Sequence, residues 1–199
     1  MEHSEYCFYE TSQGVHMHRL ILIALFLYSF TTAAHSAIEQ EVQVTSEQQK
    51  ELQAIKLVLE TFRLSIIDKD KDRFIALFFA EDIPWLGVFS DTSLQFIQQK
   101  HPKIRQVAKD TYSNFIDGIV KNPQSIEEKF WNVTIQTDQY IASVHFDYSF
   151  HLGDYKSNWG QEAWQLIKTE QGWKINSVIW TMIANQQPPH QTTDKKVHE

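Results

Sequence analysis

The chain has 199 residues, with 18 Lys and Arg against 25 Asp and Glu, a net charge of −7 with neutral histidines, and a single cysteine. The acidic balance argues against binding nucleic acid or an anionic membrane through bulk charge, and one cysteine excludes a disulfide-stapled scaffold. The length suits one main domain, and 6 Trp, 7 Tyr and 13 Phe give it an aromatic-rich core.

The first sixteen residues are polar and acidic, whereas Met17 opens a conventional leader. His18 and Arg19 precede the apolar run Leu20 to Phe30, and the small residues of Thr31 to Ala37 follow. Basic, apolar, small is the order of a signal peptide. It is expected over about residues 17–36, with cleavage near Ser36/Ala37 and Met17 as the true start. The apolar run is shorter than the roughly 20 residues a membrane-spanning helix needs, so no stable membrane insertion is expected after cleavage. Cleavage removes Cys7, Arg19, Glu2, Glu5 and Glu10, leaving an exported, periplasmic or secreted, cysteine-free acidic chain.

Residues 37–45 form a polar lead-in to a domain over 46–184. Ser46-Glu47-Gln48-Gln49 fits a capping box, and Leu52, Ile55, Val58 or Leu59, Phe62 and Ile66 recur at helical spacing to about Ile67. Asp70 suits the N-cap of a second, short helix carrying Phe74, Leu77 and Phe78. Pro84 then directs the chain into an extended segment, Trp85 to Phe89. Ser90 to His101 supports no assignment. Pro102 suits the first turn of a third helix, with Ile104, Val107 or Ala108, Thr111, Phe115 and Ile119 on one face and Asn122-Pro123 as its stop.

From Ile126 the apolar period changes to two. Four strands are expected over 127–137, 140–152, 156–169 and 173–184, separated by turn-competent Asp138-Gln139, Gly153-Asp154 and Gln171-Gly172. In the second, Ala142, Val144, Phe146, Tyr148, Phe150 and Leu152 make a core face opposite Ile141, Ser143, His145, Asp147, Ser149 and His151. The polar residues 185–199 are expected to be disordered. The plan is α+β: three N-terminal helices packed on the concave face of a cone-shaped, curved antiparallel sheet. Such a sheet leaves a conical cavity at its open end.

Phe79-Ala80-Glu81-Asp82-Ile83-Pro84-Trp85, and Trp164-Gln165-Leu166-Ile167-Lys168-Thr169 followed by Gly172-Trp173-Lys174-Ile175, resemble the nuclear transport factor 2-like superfamily, SnoaL-like domains included. The resemblance covers about residues 46–184 and implies the cone fold, frequent dimerisation through the sheet, and a pocket between sheet and helices. The superfamily holds isomerases, dehydratases and epoxide hydrolases as well as members without known activity. Where relatives similar to ketosteroid isomerase carry an acidic base, this chain has Gly87. Where many SnoaL-like relatives carry a histidine near the end of the last strand, it has Ile179.

His145, Asp147 and His151 share a strand face on which positions two apart lie about 7 Å from each other, near the reach of a His–Asp pair or a shared metal, although an ordinary solvated sheet face has the same composition. Trp85, Tyr112, Tyr148, Trp164 and Trp180 are the expected pocket-lining residues, with core filling as the competing role. Glu162 shares a face with Trp164, and a carboxylate turned inward there gains a raised pKa and can act as a base. Glu162, Asp147 and His145 are therefore the catalytic candidates. No metal and no cofactor are expected. Asn132-Val133-Thr134 matches a glycosylation sequon, read as incidental. Three functions stay open: binding of a small apolar molecule or a partner through the pocket or sheet; an isomerase, dehydratase or hydrolase using a pocket carboxylate; and a structural dimerisation module. A homodimer is the expected assembly.

Overall fold

The computed structural model describes residues 45–189, within the compact unit that runs from Thr45 onward. The expected leader and nearly all of the lead-in lie outside the described residues. None of the described helices is long and apolar enough to cross a membrane.

The elements, in chain order, are helix α1 (Ser46–Asp68), helix α2 (Lys71–Ile75), strand β1 (Trp85–Phe89), helix α3 (Asp91–Gln98), strand β2 (Val107–Lys109), helix α4 (Tyr112–Lys121) and strands β3 (Ile126–Thr137), β4 (Ile141–Leu152), β5 (Tyr155–Thr169) and β6 (Gly172–Ala184). They form one α+β unit with a six-stranded sheet in the order β2-β1-β6-β5-β4-β3. The sheet is mixed, because β1 runs parallel to β6 while every other pair is antiparallel.

The capping box at α1 sits one residue earlier than the sequence pattern suggests. Thr45 Oγ1 accepts from the Gln48 amide at 3.2 Å, and Gln48 Oε1 accepts from the Thr45 amide at 2.8 Å. Its buried stripe, Ile55, Val58, Leu59, Phe62 and Ile66, faces the sheet. Two polar residues on that helix, Glu51 and Ser65, are also buried. Glu51 accepts from Trp173 Nε1 at 2.7 Å and Lys168 Nζ at 2.6 Å, which ties α1 to β5 and β6. These bonds hold its carboxyl below the usual carboxylate range, with Lys168 the largest cause and Trp173 next. Asp70 caps α2 as expected, accepting from the Arg73 amide at 3.0 Å.

The third predicted helix is shorter and later than expected, and there are four helices among the described residues. Thr111 is the N-cap of α4, its side chain accepting from the Asn114 amide. The residues before it, Val107–Lys109, pair with Leu86–Val88 as β2. Ser90 caps the additional helix α3.

Three bulges shape the sheet. An extra residue in β3 between Trp131 and Thr134, where Asn132 takes φ 54°, moves the inward set from Ile126, Glu128 and Phe130 to Ile135. A second interrupts the β4–β5 ladder between Phe150 and His151. A third, between Gln165 and Leu166 in the β5–β6 register, moves the inward set of β6 from Trp173 and Ile175 to Val178 and Trp180. Each inserts one residue, so the apolar side chains stay on the inner face while the strand bends. Beyond β6, the Asn185 amide donates to the Ser157 carbonyl and the Tyr155 hydroxyl to the Gln187 carbonyl, which keeps that stretch against β5.

Candidate functional site

Two neighbouring rows of inward side chains cross the sheet near its β3 edge. Strand register aligns Phe130, Tyr148 and Gly160 in one row and Phe146, Glu162 and Trp180 in the next, with Glu128 opposite Phe150 on the far side of Tyr148. Of these, Glu128, Tyr148, Phe150, Glu162 and Trp180, with Phe62 from α1, Trp85 from β1, Phe115 from α4, Asn158 from β5, Met182 from β6 and Ala108 and Asp110 from the end of β2, enclose a cavity of about 270 Å³. Its walls are mainly aromatic. Trp85 meets Trp180 edge-on with centroids 5.4 Å apart, lies 5.4 Å from Phe115, and Phe115 lies 6.1 Å from Phe150.

Two glycines make this geometry possible. A Cβ on Gly87 would come within 2.9 Å of the Trp180 indole, which crosses β1 at that point. A Cβ on Gly160 would come within 2.1 Å of the Thr181 carbonyl oxygen. That oxygen accepts from the Tyr148 hydroxyl at 3.0 Å, the same distance as Asn158 Oδ1, so the one phenolic hydrogen is divided between them. Gly160→Ala must displace backbone, so it is expected to cost roughly 1–3 kcal/mol and to loosen Tyr148. Urea unfolding and the near-ultraviolet tyrosine signal check both effects.

The chemically distinctive feature is a pair of buried carboxyl groups. Glu128 is 3% exposed and Glu162 5% exposed, and they lie within hydrogen-bonding reach of each other. Trp164 Nε1 donates to Glu162 Oε2 at 2.6 Å. Burial, and then the charge of Glu162, push the Glu128 carboxyl well above the carboxylate range. Burial raises Glu162 to about 7, against the lowering pull of the Trp164 indole and of Glu128. Two like charges this close and this dry cannot both persist, so the pair holds one proton near neutrality, mainly on Glu128. Tyr148 is also pushed up, by burial and then by the two glutamates, and so remains a hydroxyl donor.

Of the residues singled out from sequence, Trp85, Tyr148, Trp180 and Glu162 line the cavity. Trp164 lies behind it, wholly buried against Phe62 and Phe146, and reaches the site through its indole N–H. Tyr112 is packed in the core at the start of α4, stacked on Phe78 at 4.0 Å. His145 is exposed on the outer sheet face. Asp147, half-buried on that face, accepts from Asn132 Nδ2 at 2.7 Å and Gln161 Nε2 at 3.0 Å, and these bonds lower its pKa. His151 Nε2 sits 2.9 Å from Ser149 Oγ, away from that pair. Among the described residues no group of three or more His, Cys, Asp or Glu side chains is placed to hold a metal ion. Gly87 carries the Trp180 indole, and Ile179 is turned outward and half-exposed. Glu128, not singled out from sequence, sits in the apolar row Ile126, Glu128, Phe130, and that lone acid at a core-facing position was the available signal.

The cavity, with its buried carboxyl pair, lies between a curved sheet and its covering helices in an α+β fold. Among solved structures, the chain is similar to a candidate scytalone dehydratase from Novosphingobium aromaticivorans, at TM-score 0.52 and 16% identity over 72% of this chain and 91% of that one. It is also similar to a protein of unknown function from Mycobacterium tuberculosis, at TM-score 0.50 and 15% identity over 69% and 74%. A nuclear transport factor 2-like protein of unknown function from Shewanella baltica gives 0.48 and 16% over 68% and 96%. The first two share its α+β fold, in keeping with the nuclear transport factor 2-like resemblance of the sequence. No protein-family model and no curated protein matches the sequence.

Proposed function

We propose that the domain binds a small, largely apolar molecule in the cavity between its sheet and helices. The observation that carries this reading is the cavity of about 270 Å³ with Phe62, Trp85, Phe115, Tyr148, Phe150 and Trp180 in its wall and a few convergent polar groups. Recognition sites for small molecules have that character, and this volume lies just below their usual lower limit. The rings grip a flat hydrocarbon body, while Glu128, Glu162 and Tyr148 fix one polar group. The leader-like segment before the domain supports a working location outside the cytoplasm.

Titrating single-ring aromatic probes while following tryptophan emission tests this, because Trp85 and Trp180 stand in the wall. Saturable quenching that weakens about tenfold or more in Trp180→Ala is the expected result, the scale of losing one anchoring ring. Probes that leave the emission unchanged would refute the site. Native mass spectrometry of the protein purified from its own host would then give the mass of its natural occupant.

A second reading, proton transfer of the isomerase, dehydratase or hydrolase kind, is favoured by one observation: a carboxyl pair that keeps a proton near neutrality beside an apolar cavity. Glu162 would accept a proton from the bound molecule while Glu128 donates to it. Turnover of a bound compound that disappears in Glu162→Gln, with binding retained, distinguishes catalysis from carriage.

A further inference from the structure

The charge inventory of the cavity points to the chemical class of its occupant. Its wall carries three carboxyl side chains, Asp110, Glu128 and Glu162, and no Lys, Arg or His. Elsewhere in the domain, buried or bridging acids have protein partners: Glu51 meets Lys168, Asp117 meets Lys71, Glu60 meets Arg63, and Asp147 takes two side-chain amides. Asp110 accepts from the Thr111 amide and from Asn114 Nδ2. Glu128 and Glu162 have no cationic partner among the described residues, and no N–H of the described residues donates to Glu128. Yet Glu128 is more than nine-tenths buried and stands in the cavity wall. A buried carboxyl pair without a counter-ion is costly, and six aromatic rings around it offer the negative faces that attract a cation within about 6 Å of a ring centroid.

We propose that the cavity takes a small organic cation, an ammonium or methylated ammonium group on a flat apolar body, with Glu128 and Glu162 as its counter-charge and the rings of Trp85, Trp180, Phe115 and Phe150 as its cage. The inference rests on the ligand-binding reading above and narrows it to one class of ligand. The cation replaces the shared proton of the carboxyl pair, so binding tightens as that proton leaves. The titratable groups facing the pair are Tyr148 from β4 and Asp110 after β2. Helices α1 and α4 and strands β1 and β6 contribute only Phe62, Phe115, Trp85, Trp180 and Met182 to the wall, none of which titrates there.

Phenyltrimethylammonium and its neutral isostere tert-butylbenzene separate the two claims, because they share a shape and differ in charge. With the folded domain, the cation is expected to bind about tenfold tighter than the isostere at pH 8, the scale of a desolvated cation–ring contact, and benzoate weakest. The cation's charge does not titrate, so a rise in its affinity from pH 5 to pH 8 reports the protein's own proton. In the double variant E128Q/E162Q the preference should fall to within about twofold and the pH dependence should vanish, a ratio readout that tolerates a general change in affinity. Binding of tert-butylbenzene equal to or tighter than the cation overturns this inference and leaves the ligand-binding reading standing. Absence of binding by both probes removes both.

Discussion

Trp164→Ala is expected to destabilise the domain by about 4 kcal/mol, the scale of removing a fully buried tryptophan, which is a large part of the roughly 5–15 kcal/mol that holds a domain together. Trp164 is wholly buried, with its ring 4.7 Å from Phe62, 5.0 Å from Phe146 and 6.1 Å from Phe130. Truncation opens a void where α1 meets β4 and β5. It also takes the indole N–H from Glu162, leaving a buried carboxylate with one donor fewer. Trp164→Phe separates the two contributions, since it keeps most of the ring volume and removes only the donor. Its expected cost is about 2 kcal/mol at pH 8, shrinking toward pH 5 as Glu162 becomes protonated and needs the donor less. Urea midpoints for both variants at the two pH values provide the check. A Trp164→Phe cost that does not change with pH would show that the indole–carboxylate bond contributes nothing to the fold.

The four C-terminal strands were legible to within a residue, because alternation and turn chemistry are local. Gln139, Gly153 and Gly172 all take positive φ where the turns were expected, and the buried row Ala142, Val144, Phe146, Tyr148 has the period the sequence displays. The segment before α4 was misread for a physical reason. Ile104, Val107 and Thr111 recur at helical spacing, but Val107 is exposed, and its backbone is used to pair with β1. Edge pairing overrode local periodicity. The parallel contact between β1 and β6 left no trace in sequence, since it joins Trp85 to Val178 across most of the domain.

The candidate site was half legible for a related reason. Glu162 could be found because it shares a strand face with Trp164, two residues on. Its partner could not be fixed without the register that places β3 and β5 on either side of β4. Asp147 and His145 attract attention as a His–carboxylate pair on one strand, yet their side of the sheet is the outer one, where Asn132 and Gln161 already satisfy the aspartate. Proximity in sequence identified the polar face; only the bulged and curved sheet identified the concave one.

Replacing both buried glutamates by glutamine is expected to stabilise the ligand-free domain at pH 8 by more than the roughly 3 kcal/mol that is the linkage equivalent of the displacement of Glu162 alone, at about 1.4 kcal/mol per pH unit. The Glu162 carboxyl is raised from 4.5 to about 7 in the folded protein, and Glu128 is raised as well. Below the unfolded value both states are protonated, and the glutamates carry no penalty. As pH rises past it, the unfolded chain releases protons that the folded chain retains, so folding stability falls through the window from about 4.5 to about 7 for Glu162 and goes on falling beyond it for Glu128. Glutamine does not titrate, so the stability difference between E128Q/E162Q and the parent should be small at pH 4 and open across that window. Groups with lowered pKa values, such as Asp117 and Glu51, cancel in this difference. Urea unfolding of both proteins from pH 4 to pH 8 measures it, and a difference independent of pH would show that the pair does not hold its shared proton. The same penalty connects stability to recognition. A cation seated between the carboxylates and the aromatic walls relieves the repulsion that glutamine abolishes. Phenyltrimethylammonium should therefore raise the parent's urea midpoint more at pH 8 than at pH 5, and have little effect on the variant at either.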